Sequence, residues 1–237
     1  YVEALDAARP DAVIVDLSAD YRFDPEWVYG QPERFAVNLD GARRIATPGC
    51  YATGAQLALA PLLDGLAGTP AVFGVSGYSG AGKTQSRKND PDVLRDNLLP
   101  YALVDHIHER EVSRHIGRDI RFLPHVAPFF RGISLSVAAE LERPVTADEL
   151  ASVYAEFYAA CPLIEVRESL PEVAAVRGTH RVIIGGFAAS GAHPDRVSLV
   201  AVLDNLLKGA ATQAVQNLNL AFGLHATAGL DARGEVQ

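Results

Sequence analysis

Cysteine is scarce in this sequence, and methionine is absent. Among 237 residues there are two cysteines, Cys50 and Cys161, and no methionine. Two thiols so far apart in the chain do not make a disulfide framework, and they do not suit a cage for a metal ion. Each cysteine must therefore be judged by its own local sequence.

The sequence also lacks basic runs and long apolar runs. Its formal net charge is -8, and no stretch rich in lysine or arginine occurs, which argues against a nucleic-acid surface or a patch for anionic membranes. Glycine, proline or charge interrupts each apolar stretch before it could span a bilayer, and the N-terminus shows no basic-then-apolar signal pattern. We therefore expect a cytoplasmic protein whose partner is a small molecule.

What is present is enough apolar sequence for a substantial core. Hydrophobic residues make up 49% of the chain, and its length predicts one large or two modest domains. Residues 12–17, AVIVDL, are an apolar run that includes an aspartate near its end, which is typical of a parallel strand that opens towards a ligand. Because this strand comes so soon after Tyr1, we expect the sequence to begin inside a domain.

The later part of the chain predicts a second type of sheet. From residue 122 onward several apolar runs follow one another, with one clear helix between them that Thr146 caps together with Glu149. Strand runs with few helices between them indicate a largely antiparallel sheet. The predicted fold is therefore α/β, with a parallel sheet first and an α+β part after it. Residues 21–35 are aperiodic and predict a loop, and an alanine-rich helix closes the chain.

Cys50 stands between a Pro-Gly pair and the start of a predicted helix. Residues 51–63 place leucines among alanines, which predicts a helix with Cys50 at its N-terminus. Unpaired N–H groups and the positive end of the helix dipole lower the pKa of a thiol there, and Pro48 and Gly49 allow a sharp turn close to a substrate. Cys50 is thus a candidate nucleophile, with a small buried apolar side chain as the alternative role. For Cys161 we favour that buried role.

A thiol nucleophile needs an acid/base partner, and three histidines are candidates. His106 and His108 are expected to point to different sides of either a helix or a strand, so we do not expect one metal ion to bind both. One of the two could face a cleft. His125 lies in an apolar run, which favours a buried, hydrogen-bonded role.

Residues 77–84, GYSGAGKT, match the phosphate-binding loop of an NTPase at every position of the pattern. A predicted strand precedes them, as the pattern requires. Such a loop opens directly into a helix whose amides hold phosphate, whereas the sequence that follows here is polar, has no amphipathic start and soon contains a proline. The NTPase interpretation is therefore an alternative only.

Three further residues carry groups that can bind ligands. Arg22 follows the end of the first predicted strand, where a guanidinium can hold a phosphate or carboxylate through two parallel hydrogen bonds. A surface arginine is the alternative. Asn205 and Lys208, at the start of the last predicted helix, are either ligand donors or simply a cap and a solvated charge.

Six stretches together resemble the N-acetyl-gamma-glutamyl-phosphate reductases, which are relatives of the aspartate-semialdehyde dehydrogenases. In order they are residues 15–22 (VDLSADYR), 47–62 (TPGCYATGAQLALAPL), 76–83 (SGYSGAGK), 106–111 (HIHERE), 124–133 (PHVAPFFRGI) and 204–223 (DNLLKGAATQAVQNLNLAFG). They cover the chain nearly end to end. The resemblance implies part of a Rossmann-type dinucleotide-binding domain in residues 1–49, a catalytic and oligomerisation domain in residues 50–199, and a helix in residues 200–237 that returns to the first domain. It also implies a homodimer or homotetramer.

The resemblance implies an activity as well, the NADPH-dependent reduction of N-acetyl-gamma-glutamyl phosphate to its semialdehyde in arginine biosynthesis. Cys50 matches the family's nucleophile, which forms a thioester and expels phosphate, and His108 matches its acid/base histidine. Arg22 matches a position that contacts the substrate phosphate in the related dehydrogenases. The positions that match the family's approach to the nicotinamide half of NADP are Ser79, Gly80, Gly82 and Asn205.

The sequence departs from the family's pattern in four places. The opening glycine-rich turn, which cradles the pyrophosphate, is not found, so we expect this 237-residue chain to bind NADPH poorly in an isothermal titration. Ala52, Arg110 and Lys83 stand where proline, proline and arginine are common. These differences leave the acyl substrate open, with aspartyl phosphate and a carrier-linked aminoadipyl phosphate as alternatives. A truncated oligomerisation partner without turnover is a third kind of protein that the sequence allows.

Overall fold

The computed structural model describes residues 2–230 of the chain. Its α-helices, in chain order, are α1 (Val2–Ala8), α2 (Pro32–Leu39), α3 (Cys50–Leu59), α4 (Pro91–Leu94), α5 (Ile107–Ile116), α6 (Ala147–Phe157) and α7 (Thr212–Ala221). Its strands are β1 (Ile14–Asp16), β2 (Val28–Tyr29), β3 (Arg44–Ala46), β4 (Leu66–Gly77), β5 (Leu99–Pro100), β6 (Arg121–Ala127), β7 (Ile133–Leu141), β8 (Ile164–Arg167), β9 (Val182–Ala189) and β10 (Arg196–Leu203). None of the helices within residues 2–230 has the length and apolar character needed to cross a membrane.

The strands form two separate sheets. The first is a parallel sheet of three strands in the order β1-β3-β2. The second has seven strands in the order β5-β6-β4-β7-β10-β9-β8. In it β4 pairs with β6 and β8 with β9 in parallel, and the other neighbours are antiparallel. The predicted α/β class, with a parallel sheet followed by a largely antiparallel one, is confirmed.

Alternation along the strands puts the main core on one face of the larger sheet. In β7 every second residue from Ile133 to Leu141 is buried, as a strand with one covered face requires. The helix α3 lies against β7 and β10 on that face. Its residues from Tyr51 to Leu59 are all buried, so α3 is a helix of the interior rather than of the surface. The first residue of this interior helix is Cys50.

The C-terminal segment packs back onto the first sheet. Helix α7 contacts α2 and β1, and Leu39, Ile45 and Ala221 form a second, smaller apolar cluster there. The Asn217 side chain donates a 2.9 Å hydrogen bond to the carbonyl of Gly30. The predicted division into domains stays a prediction. Its boundary at residue 199 falls inside β10, and its last seven residues, 231–237, lie outside the described part.

The predicted loop over residues 21–35 is wrong in part. It contains β2, and α2 begins in it at Pro32, which occupies the first turn of the helix, the position where proline costs no hydrogen bond. The two residues of β2 pair with β3, and α2 packs on α7. Both elements therefore depend on contacts with distant parts of the chain, which a local pattern does not show.

Candidate functional site

Cys50 is the first residue of α3 and follows a tight connection from the parallel sheet. Strand β3 ends at Ala46, and Gly49 has an extended backbone with φ -66° and ψ 153° before the helix begins. The Gly49 carbonyl accepts the first helical hydrogen bond, 2.8 Å from the amide of Thr53. The thiol thus lies at the N-terminus of the helix, as predicted, close to the end of a strand of the parallel sheet.

One cavity of about 260 Å³ opens at this junction. It brings together all of the site residues that the sequence predicts. These are Arg22, Cys50, Ser79, Gly80, Gly82, His108 and Asn205. They come from the turn that follows β1, the start of α3, the loop after β4, the start of α5 and the turn after β10. Five separate segments of the chain therefore converge on one space.

Two glycines allow this close packing around the thiol. A methyl group added to Gly49 would overlap Nε2 of His108 and would lie 2.8 Å from the Arg22 guanidinium. One added to Gly209, in the turn before α7, would lie 2.7 Å from Cβ of Cys50. Contacts of this length do not occur between real carbon atoms, so only glycine fits at either position.

Arg22 is a buried arginine rather than a surface one. Its side chain is 8% exposed, and it donates hydrogen bonds to the carbonyls of Thr47 and Leu17 at 3.0 and 3.1 Å. A third bond, 3.2 Å long, goes to Oε2 of Glu111. Because a guanidinium has five N–H donors, these three partners hold it in place and leave donors for an anion in the cavity.

Glu111 is a site residue that the sequence analysis did not single out. Its carboxylate is fully buried and accepts hydrogen bonds from the Tyr29 hydroxyl at 2.7 Å, the Gly49 amide at 2.9 Å and Arg22. Burial raises the pKa of Glu111, while Arg22 and these hydrogen bonds oppose that shift. The spacing of three residues from His108 on α5, which puts both side chains on one helix face, is the signal that could have found it.

The prediction that the helix N-terminus lowers the pKa of Cys50 is wrong for this structure. Burial raises the pKa of the thiol to about 11, and the Tyr51 amide and the charge of Arg22 only partly oppose this. The free-energy cost of removing a thiolate from water is larger than the stabilisation that the amides of one helix terminus give it. In the absence of ligand Cys50 is therefore a neutral thiol.

His108 is held neutral beside it. Burial, His106 and Arg22 all lower the pKa of His108 well below its usual value. The two histidine rings lie 4.9 Å apart rather than on opposite sides, because His106 is the residue before α5 and its ring accepts a hydrogen bond from the His108 amide. Within the described residues Nδ1 of His108 is buried without a partner. His125 lies in β6, away from the cavity, with its ring on Phe73.

The loop after β4 forms the opposite wall of the cavity. Residues Tyr78–Ala81 make one tight 3₁₀ turn, and the Asn205 side chain donates a 2.9 Å hydrogen bond to the Ser79 hydroxyl. A side chain at Gly80 would meet the Ser76 hydroxyl at 2.8 Å, so this stretch of backbone stays bare. This wall of the cavity therefore consists of bare backbone at Gly80 beside the hydroxyl of Ser79 and the side-chain amide of Asn205.

The same loop does not have the form of an NTPase phosphate cradle. After residues 77–84 the chain makes a 3₁₀ turn at Arg87–Asn89 and then the four-residue helix α4, so no long helix points its amides into the loop. Lys83 is exposed and does not line the cavity. The local context thus differs from the one that a phosphate-binding loop requires.

Comparison with known protein families gives one match that covers most of the chain. The family described as "Semialdehyde dehydrogenase, dimerisation domain" matches residues 50–205. Among curated proteins, the N-acetyl-gamma-glutamyl-phosphate reductase of Xanthomonas campestris pv. campestris (strain B100) is 56% identical over 94% of this chain and 70% of its own length. The enzyme of that name from Xylella fastidiosa (strain M23) is 56% identical over 94% of this chain and 68% of its length.

Solved structures show the same fold at lower identity. The aspartate semialdehyde dehydrogenase II of Vibrio cholerae, complexed with ASA, superposes with a TM-score of 0.74 at 20% identity, over 93% of this chain and 77% of that one. A probable aspartate-semialdehyde dehydrogenase from Pseudomonas aeruginosa gives 0.74 at 23% identity, over 94% and 75%.

Proposed function

The chain belongs to the N-acetyl-gamma-glutamyl-phosphate reductases of the semialdehyde dehydrogenase family, and on that premise we propose that it converts N-acetyl-gamma-glutamyl phosphate to N-acetylglutamate semialdehyde with NADPH. The single observation that carries the mechanism is the cavity in which the thiol of Cys50, the imidazole of His108 and the guanidinium of Arg22 meet. The reaction is a step of arginine biosynthesis, and the cytoplasm is the location that we propose for it.

Cys50 acts as the nucleophile. Its sulfur attacks the acyl carbon, the bond from that carbon to the phosphate oxygen breaks, and phosphate leaves with the electron pair, so that a thioester on Cys50 remains. Because thiol and imidazole are both neutral before substrate binds, the proton moves from the thiol to His108 as the attack occurs. This is general-base catalysis with a partner whose pKa lies below that of the thiol.

Arg22 binds the phosphate. Its guanidinium is already oriented by Leu17, Thr47 and Glu111, so little conformational freedom is lost when the anion arrives. Its positive charge also lowers the pKa of the nearby thiol, which favours the developing thiolate.

When bound, NADPH supplies the hydride that reduces the acyl carbon. Ser79, Gly80, Gly82 and Asn205, which line the cavity, are the residues that would hold its nicotinamide end. The proton that His108 took from the thiol is then available for the oxygen that becomes the aldehyde. As the carbon–sulfur bond breaks, that oxygen gives the proton back through His108 to the departing sulfur, so that the aldehyde forms and the thiol of Cys50 is regenerated.

We also propose that the enzyme is a homo-oligomer, a dimer or tetramer. The matching family is described as a dimerisation domain. One face of the seven-stranded sheet carries exposed residues on its central strands, among them Phe73, Ser136, Ala138 and Ser198, and a second copy of the chain is the partner that we place there.

The test is the phosphate-dependent oxidation of N-acetylglutamate semialdehyde with NADP by the intact enzyme. Wild type, Cys50→Ser and the matched control Cys161→Ser are compared. We expect turnover in wild type and in Cys161→Ser, and none above background in Cys50→Ser. If wild type is folded and binds the cofactor but shows no turnover, N-acetylglutamate semialdehyde is not its substrate. Aspartate semialdehyde and the carrier-linked aminoadipate semialdehyde would then be assayed.

A further inference from the structure

A turn of unusual geometry forms the wall of the cavity behind Cys50. After β10 the residues Leu207–Ala211 make one π-helical turn before α7 begins. Such turns are rare and are frequent at functional sites. Asn205, Leu206, Gly209 and Ala210 line the cavity, and Lys208 lies between them with its side chain fully buried. Of the two roles that the sequence left open for Lys208, ligand donor or solvated charge, the solvated charge is therefore wrong.

All three protons of the Lys208 ammonium group are used in hydrogen bonds. Nζ donates hydrogen bonds to Oε1 of Glu33 at 2.7 Å, Oε1 of Gln213 at 2.7 Å and Oε1 of Gln216 at 2.5 Å. An ammonium has three protons and no acceptor, and three oxygen acceptors face it. Each proton of the ammonium group thus has one oxygen acceptor, which is the arrangement expected for a charged, buried lysine.

These hydrogen bonds connect three elements of the fold. Glu33 is in the first turn of α2, and Gln213 and Gln216 are on α7. Gln213 in turn donates a 3.3 Å hydrogen bond to the Thr53 hydroxyl on α3, the helix that begins with the nucleophile. Lys208 therefore joins the element beside the parallel sheet to the helix that carries Cys50.

Lys208 is the buried ion-pair partner of Glu33. The Glu33 side chain is 4% exposed, and its Oε2 has no hydrogen-bond partner within the described residues. A buried carboxylate is strongly destabilised when its cationic partner is lost. The ion pair is thus a fixed part of the fold rather than an adaptable surface contact.

The other side of the turn reaches the nucleophile directly. Gly209 approaches so closely that a methyl group there would lie 2.7 Å from Cβ of Cys50. The Gly209 amide donates a 2.9 Å hydrogen bond to the carbonyl of Asp204, which closes the turn. A small shift of Lys208 relative to α2 and α3 is therefore transmitted to the atom that bears the sulfur.

We propose that Lys208 is a positioning residue for the reaction: by holding the π turn against α2 and α3, it sets the distance between Gly209 and Cys50 and so the orientation of the thiol in the cavity. It acts through Gly209 and Cys50 and does not touch the substrate. The measurement of turnover rests on the proposed function, whereas the measurement of thiol reactivity is independent of it.

The experiment compares Lys208→Met, the double variant Lys208→Met/Glu33→Gln and a control, Arg95→Met/Asp92→Asn. The control removes an ion pair of which both partners are exposed. Melting temperature, kcat, KM and the rate of Cys50 alkylation by iodoacetamide across pH are measured in the intact enzyme, on a Cys161→Ala background for the alkylation. The double variant also removes the carboxylate of Glu33, which the single variant leaves buried without a cationic partner. The effect on stability is thereby separated from the effect on the position of the thiol.

We expect Lys208→Met to melt at a lower temperature and the double variant to regain much of that loss. In both variants kcat should fall by about 10- to 100-fold, the size expected when a reacting group is displaced by a fraction of an ångström to one ångström, with KM for the semialdehyde changed less. At each pH, the alkylation rate of Cys50 in these variants should differ at least threefold from the rate in wild type. The control should match wild type in every readout.

Unchanged kcat and alkylation in the folded double variant would overturn the proposal and leave Lys208 a structural residue. If the double variant does not fold, Thr53→Val, which cuts the hydrogen bond to α3, is measured in its place, and wild-type kcat and alkylation there would overturn it equally. If wild type does not turn over the semialdehyde while the alkylation rates still differ, the proposed substrate fails and the positioning role stands.

Discussion

At the scale of single residues, two opposing effects act on the sulfur of Cys50. Its place at the start of α3 and the charge of Arg22 favour the thiolate, while its burial favours the thiol and is the larger effect. A protonated thiol is unreactive, so in the proposed mechanism Cys50 becomes a nucleophile only when a ligand and His108 take part.

The pH dependence of alkylation tests this. The pKa of Cys50 in the folded protein is about 11, whereas that of a free cysteine is about 8.5. The rate at which iodoacetamide modifies Cys50 should therefore keep rising above about pH 9. Peptide mass spectrometry on a Cys161→Ala background isolates the signal of Cys50. A rate that levels off by pH 8 would show an activated thiolate and contradict the expectation.

The close contacts of Gly49 lead to a second expectation. Gly49→Ala should reduce kcat/KM by about 100-fold or more, since its methyl group would displace His108 and Arg22 and misplaced catalytic groups lose that much rate. Overpacking should also destabilise the fold by about 1–3 kcal/mol. Gly65→Ala is the matched control, because nothing lies within 4 Å of a methyl group there. Near-normal kinetics in Gly49→Ala would mean that the site tolerates a shift of both side chains.

At the scale of secondary structure, the helices differ in what determines them. Helix α6 begins with a reciprocal pair of hydrogen bonds between Thr146 and Glu149, and its start was predicted from these residues alone. The short helix α2 is instead held by its contacts with α7. Local signals were therefore sufficient to predict the start of α6, whereas tertiary contacts determine α2.

The cap of α6 provides a prediction for this scale. Thr146→Ala removes the oxygen that accepts a 3.1 Å hydrogen bond from the Glu149 amide, and it should lower the free energy of unfolding by about 1 kcal/mol. Chemical denaturation measures the loss. Because Thr146 does not line the cavity, kcat and KM should stay at their wild-type values, and a change in either would show that α6 is coupled to the site.

At the scale of the whole molecule, buried polar side chains join the part with the parallel sheet to the rest of the described chain. Arg22, Tyr29 and Glu33 come from the part with the parallel sheet, and they reach Glu111 and Lys208 in the other part. These buried polar contacts specify one relative placement of the two parts, because each charge needs its partner. The cavity is therefore a property of the assembled fold and not of either sheet alone.

The proposed oligomer can be tested on the open face of the larger sheet. Ala138→Arg puts a charge on β7, and we expect it to weaken self-association at least tenfold in light scattering coupled to size exclusion, since an unpaired charge in an apolar interface is costly. Ala155→Arg, on an exposed position of α6, is the control and should leave the assembly intact. An Ala138→Arg protein with the wild-type mass would place the interface elsewhere.

The sequence by itself determined the α/β class, the alternating strands, the capped helix α6 and the set of residues that converge on the cavity. The predictions of fold depended on local periodicity and helix caps, which are written in neighbouring residues. The residues of the cavity were predicted mainly from motifs that resemble those of a known family. Only the tertiary structure decided that Glu111 joins Arg22 to Gly49, that Lys208 is buried among three acceptors, and that β2 and α2 form at all. It also reversed the expected pKa shift of Cys50, because the pKa of a thiol depends on how much water the folded chain removes from around it, and that quantity has no counterpart in local sequence.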